Sequence, residues 1–171
     1  MDPIILILRV VHILLGVFWA GAVFVIVGFV SPAIGDAGPD GAKVMGALVK
    51  RRFLNIVPAA GFATIVSGFW LLSRDSSGFE TSWMGSRTGM AFSTGAVFAL
   101  VALVIGVAVM RRSIMRAMAI GQSLPQVAEG PAREAAMAQM QQLRGRAIAA
   151  GRVVAGLLTV TVVAMALARY L

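Results

Sequence analysis

Four side chains near the start of the sequence share one helical face and have the chemistry to hold a flat ligand. Arg9, His12, Gly16 and Trp19, with Ala20 beside them, follow one another at steps of three and four residues. At that spacing, side chains stack on one side of an α-helix. A neutral imidazole ligates metal or haem iron through one ring nitrogen, and His12 is the single histidine of the chain. Gly16, one turn deeper, leaves room for a planar ring, and Trp19 supplies a wall to stack on. Arg9, one turn the other way, can pair with a carboxylate such as a haem propionate. A second reading of the same face is structural. His12 then hydrogen-bonds a backbone carbonyl or a threonine, and the face serves packing alone.

The element that must carry this face is a membrane helix. Of the 171 residues, 59% are hydrophobic and only 13% charged, where a soluble domain has about a quarter charged. The mean hydropathy is +0.90, and the apolar residues fall in four long runs, about 3–30, 53–72, 89–110 and 147–168. Each is near the roughly 20 residues that cross a hydrocarbon core of about 30 Å. Backbone polar groups in lipid must pair within their own segment, so each run should be helical. The expected fold is all-α: a polytopic membrane protein, residues 1–171 forming one four-helix transmembrane domain. Met1-Asp2-Pro3 opens with an acid, unlike the basic start of a signal peptide, so the first segment reads as a retained helix.

The basic residues set the expected orientation. Of the fifteen Lys and Arg, only Arg9, Arg74, Arg87 and Arg169 lie at one end of the runs; the other eleven fall in 31–52 and 111–152. The positive-inside rule then places these two connections in the cytoplasm and both termini outside, in a bacterial inner membrane. Trp70, Trp83 and Tyr170 belong to the outer interface on this reading, as an aromatic belt. The basic surface predicts affinity for anionic lipid. A net charge of +8 laid out along membrane flanks does not point to nucleic acid.

The long connections read as helical extensions. Residues 41–50 look like an early, amphipathic start of the second helix. The third helix should run on to Gly121 as its C-terminal cap, and a new helix should start at Pro131 and continue into the fourth span. Small residues recur along each run: Gly16 and Ala20; Ala60, Thr64 and Gly68; Ala91, Gly95 and Ala99; Ala147, Gly151, Ala155 and Thr159. Such stripes let membrane helices approach closely, and the four should face inward.

Other chemistry is weaker. Met115, Met118, Met137 and Met140 suit Cu(I) by ligand type, but methionine is above all a flexible core filler. Arg152, one turn inside the fourth run, reads as a snorkelling side chain. Asn55 and Pro58 mark a bend whose freed carbonyl a neighbour must satisfy. The absence of cysteine excludes disulfides and thiolate sites, and no motif fixes a reaction.

His12, Gly16, Trp19 and Gly21, early in a first helix of four, together resemble the copper-resistance-protein-D-like membrane proteins. They also resemble the HemJ-type protoporphyrinogen oxidases. The stretch from Phe24 to Ser31-Pro32-Ala33 is similar to related four-helix families, so the resemblance covers about the first 35 residues. It implies a redox or ligand-binding membrane protein with haem b on His12. The departure is the absence of a second histidine, so a bis-histidine site needs a second protomer. The alternative, from another class, is a non-catalytic accessory subunit packing in a homodimer or a larger membrane complex. A small transporter ranks third, because no run holds an interior Asp or Glu for a proton relay.

Overall fold

The computed structural model describes residues 2–171, and 91% of the chain is helical, with no strand among the described residues. Helix α1 spans Pro3–Asp36, α2 Gly41–Lys50, α3 Phe53–Asp75, α4 Thr81–Met84, α5 Arg87–Gln126 and α6 Pro131–Tyr170. Helices α1, α3, α5 and α6 are long and apolar enough to cross a membrane. At 1.5 Å per residue, the 40 residues of α5 and of α6 each reach about 60 Å. That is roughly twice a hydrocarbon core, so both helices run far beyond one face of the bundle, as the extensions predicted.

Local chemistry explains the helix ends. Asp2 caps α1 by accepting from the Ile4 N–H at 2.9 Å, and Pro3 occupies the first turn, where its missing N–H costs nothing. At the end of the 3–30 run, Pro32 would ordinarily stop this helix. It does not, because the turn before it widens to a π-helix over Ile26–Val30, with the Ser31 N–H bonded to the Ile26 carbonyl. The change of register absorbs the lost donor, and the helix continues to Asp36. The Gly41–Lys50 stretch was expected to merge with the second membrane helix. Instead Arg52 takes a left-handed conformation (φ 59°, ψ 19°), which turns the chain and separates α2 from α3. Gly121 caps nothing: it lies within a helix that ends at Ser123, followed by a short 3₁₀ turn over Leu124–Gln126.

The bundle is two antiparallel pairs, α1 on α3 and α5 on α6, joined by fewer contacts between the pairs. Where all four meet, the core gathers Trp19, Val23, Val57, Ala102, Val154 and Leu158, the last two only 2% and 1% exposed. The small-residue stripes do face inward along most of their length, with Ala60, Thr64, Gly95, Ala99, Ala147 and Gly151 buried. The α6 stripe is rotated from the expected one. It continues through Val154 and Leu158, leaving Thr159 exposed, because 3.6 residues per turn carries a strict step of four off the face.

Candidate functional site

Three of the four residues singled out in α1 lie in one antiparallel seam with α3, and the fourth stands at its end. His12 lies on Gly68, Gly16 faces the Thr64 methyl, and Trp19 lies on Gly61. Steps of four and three along α1 are matched by steps of four and three back along α3. The seam is therefore a ladder of large groups set against small ones. A Cβ built on Gly61 would stand 2.6 Å from the Trp19 ring, and one on Gly68 would stand 2.6 Å from His12 Cε1. Real atoms do not approach so closely, so both glycines are needed at this interhelical distance. Thr64 turns its hydroxyl back to the Ala60 carbonyl at 2.8 Å, which leaves its methyl toward Gly16 at 3.4 Å.

The environment of His12 fixes where its proton sits. Nδ1 lies 2.8 Å from the Thr64 backbone oxygen and 3.3 Å from Ser67 Oγ. The single Ser67 hydroxyl proton is shared between the Ala63 carbonyl at 2.8 Å and the Thr64 carbonyl at 3.0 Å. A carbonyl only accepts, so Nδ1 must donate. In the neutral ring, Nε2 then carries the free lone pair. An N–H held by a carbonyl on one side of the ring is the arrangement that orients a ligating histidine. Nε2 makes no hydrogen bond within the described residues, and no buried side-chain nitrogen or oxygen among them lacks a partner. Nε2 therefore reaches the surface of the helix pair.

Arg9 meets a carboxylate of the chain itself. Its Nη2 donates to Asp75 Oδ1 at 3.3 Å, with both side chains substantially exposed. Surface pairs of this kind contribute about 0–1 kcal/mol, so the contact steers Arg9 more than it stabilises the fold. The sequence reading missed Asp75, although an acid at the end of the second run, opposite Arg9 at the start of the first, was a usable signal. Gly61 and Ser67 carry no sequence signal of their own, and Gly68 enters the sequence reading only as part of a stripe.

No planar cofactor is enclosed by this face in one chain. Thr64 fills the space beside Gly16. Trp19 is 4% exposed and is held between the helices rather than offered at the surface. The cavity bordering Trp19 is about 50 Å³, well below the roughly 300–1,000 Å³ of ligand pockets. An open hollow of about 300 Å³ lies along Phe69, Trp70, Ser73 and Arg74, on the exposed face of α3 and away from the seam. Among the described residues, no three of His, Asp or Glu converge on a metal position. Of the four methionines, Met140 lies against Gly121 between α5 and α6, and Met115 and Met137 are exposed.

A second cluster joins α3 to α5. Pro58 has no N–H for the Leu54 carbonyl one turn back. That carbonyl accepts instead from Arg111 Nε at 3.1 Å, and Arg111 Nη2 donates to Asn55 Oδ1 at 2.8 Å. The expected neighbour of the proline bend is thus Arg111, which the sequence offered only as one basic residue of a flank. Comparison with protein-family models, with curated proteins and with solved structures found no match for the chain.

Proposed function

We propose that this chain is an integral membrane ligand-binding or redox protein whose binding atom is Nε2 of His12. The observation that carries the reading is the Nδ1 hydrogen bond to the Thr64 carbonyl, because it orients the ring and leaves Nε2 as the free nitrogen. Haem b is the first candidate ligand. One chain supplies one axial nitrogen and no enclosure, so the group would sit against the outer surface of the α1–α3 pair and be closed in by a second copy or a larger complex. Arg9 stands one turn away and can exchange part of its contact with Asp75 for an anionic group of the ligand. Gly16 and Trp19 serve by setting the distance between α1 and α3. The test is haem titration of the purified protein in detergent. The expected result is a Soret band that saturates at one haem per two chains for a symmetric dimer, or one per chain when a partner subunit supplies the second side. A wild type that stays colourless after haem supplementation overturns the haem assignment.

A second reading is favoured by one specific observation. Gly16, Trp19, Gly61 and Gly68 are all consumed by packing, as they are in a non-catalytic accessory subunit. A colourless protein that co-purifies with a larger membrane complex would make this reading the first.

The proposed setting is a bacterial inner membrane with both termini outside. The support is the placement of eleven of the fifteen basic residues on the side of the α1–α2–α3 and α5–α6 connections. Cysteine labelling in intact cells checks it. Ser76 is unsuitable, being fully buried with its Oγ accepting from the Phe79 N–H at 2.8 Å. Ser82 and Ser123 are exposed. Ser82→Cys should react with an impermeant reagent and Ser123→Cys should not; the reverse pattern inverts the topology.

A further inference from the structure

The contact between α3 and α5 leaves a cation beside an apolar groove whose inner end borders Trp19, and the cation takes no part in the His12 site. Arg111 is half-buried, yet both its bonds within the chain go to neutral oxygens, the Leu54 carbonyl and the Asn55 amide. A guanidinium has five N–H groups, so three remain beyond these two. The ion pairs among the described residues are Arg9–Asp75, Lys43–Asp40 and Arg133–Glu129, and none neutralises Arg111. Arg51 and Arg52 are exposed and lie immediately before the turn that Arg111 grips, since the Arg52 carbonyl accepts from the Asn55 and Ile56 N–H groups at 2.9 Å each. Arg51 and Arg52 are thus three and two residues from the Leu54 carbonyl that Arg111 holds.

Directly beside them runs an apolar groove. Its walls are Phe53, Val57 and Pro58 of α3 and Leu103, Gly106 and Val107 of α5, with Trp19 of α1 and Val154 of α6 closing its inner end and Arg111 at its rim. Its volume is about 50 Å³, room for a short stretch of hydrocarbon chain. Gly106 keeps the floor open: a Cβ added there meets nothing within 4 Å. Charge at one end and a hydrocarbon-sized channel leading from it together match an anionic amphiphile. A neutral lipid would leave the three cations uncompensated at the surface, where basic groups attract anionic lipid.

We propose that this groove is a binding site for one anionic phospholipid. Its phosphate is held by the free N–H groups of Arg111 with Arg51 and Arg52 beside it, and one acyl chain lies along the groove past Gly106. The lipid also completes the proline bend, because it neutralises the side chain that satisfies the Leu54 carbonyl.

The experiment is native mass spectrometry of the full chain in detergent, titrated with phosphatidylglycerol or phosphatidylcholine. The wild type should retain one phosphatidylglycerol at least tenfold more strongly than phosphatidylcholine. Two variants separate the parts of the site without touching the Arg111 clamp. Arg51→Gln with Arg52→Asn, the latter chosen because asparagine tolerates the left-handed backbone, should reduce that preference severalfold. Gly106→Leu fills the groove, keeps every charge, and should abolish retention of the single tight lipid. Equal retention of the two lipids by the wild type overturns the proposal. So does a preference for phosphatidylglycerol that survives Gly106→Leu unchanged, since that result describes a basic surface and no groove.

Discussion

Gly61→Leu should be among the most destabilising single substitutions in the α1–α3 seam. Even the first added carbon would stand 2.6 Å from Trp19 Cε2 and 2.8 Å from Cδ2. Overpacking commonly costs about 1–3 kcal/mol, and more where the neighbour cannot move. Trp19 has limited freedom, because it is 4% exposed and the cavity beside it is only about 50 Å³. Gly61→Ala should therefore cost about 1–2 kcal/mol and Gly61→Leu about 3 kcal/mol or more. For a chain of this size, 3 kcal/mol lowers the melting temperature by roughly 6–12 °C, against a total stability of about 5–15 kcal/mol. Trp19→Ala alone should cost about 3–5 kcal/mol through the void it leaves. The double variant Trp19→Ala with Gly61→Leu should recover part of that loss, since leucine enters the space the indole vacated, and such coupling is the mark of direct contact. Thermal unfolding in detergent reads all four. A Gly61→Leu protein that melts with the wild type would show that the seam does not hold α1 and α3 together.

The second large effect concerns the ligand. His12→Ala should remove the Soret absorbance of haem-supplemented protein entirely, because the single histidine provides the only imidazole nitrogen. It should leave the fold intact. The ring is half-buried, its loss removes one hydrogen bond worth about 1 kcal/mol, and the Thr64 carbonyl still accepts from Ser67. Arg9→Ala should weaken haem binding only a fewfold, since it deletes a charge-assisted contact at an exposed position and not the iron bond. Equal absorbance in His12→Ala and wild type would place the haem elsewhere. Equal loss in both variants would make the charge, not the imidazole, decisive.

The sequence carried the architecture further than the site. Long apolar runs and few charges yield four helices wherever they occur, and Pro131, suited to a first helical turn, predicts that α6 starts well before its apolar run. The helix ends were less legible for particular reasons. Pro32 reads as a stop in any soluble helix, and only the π turn before it lets α1 continue. Arg52 in a left-handed conformation has no signature, since nothing about arginine favours it. At the site, a bond from His12 to a backbone carbonyl was one of two readings of the face, and it is realised. Its partner could not be named, because a carbonyl on a helix 52 residues away leaves no mark in residue types. A signal did exist in the paired spacings. His12 and Trp19 are seven apart, and so are Gly61 and Gly68, which is what an antiparallel seam of large groups on small ones requires. Pro58 announced a carbonyl in need of a donor, but Arg111 was read as a topological charge because basic residues at a membrane flank have that role by default.

The central claim is that Nε2 of His12 is the atom offered to the ligand. It is tested most directly by His12→Gly with imidazole added back. Glycine removes the whole ring from the surface of Gly68 and leaves a gap of its shape in the seam, bordered by the Thr64 carbonyl that held Nδ1. Haem-supplemented His12→Gly protein should be colourless. Free imidazole at millimolar concentration should restore the Soret band, while the same concentration should not alter the wild-type spectrum. Restoration shows that an imidazole in that place is sufficient. A His12→Gly protein that keeps the wild-type Soret band without imidazole contradicts the account, because the ligating atom would then lie outside the α1–α3 seam.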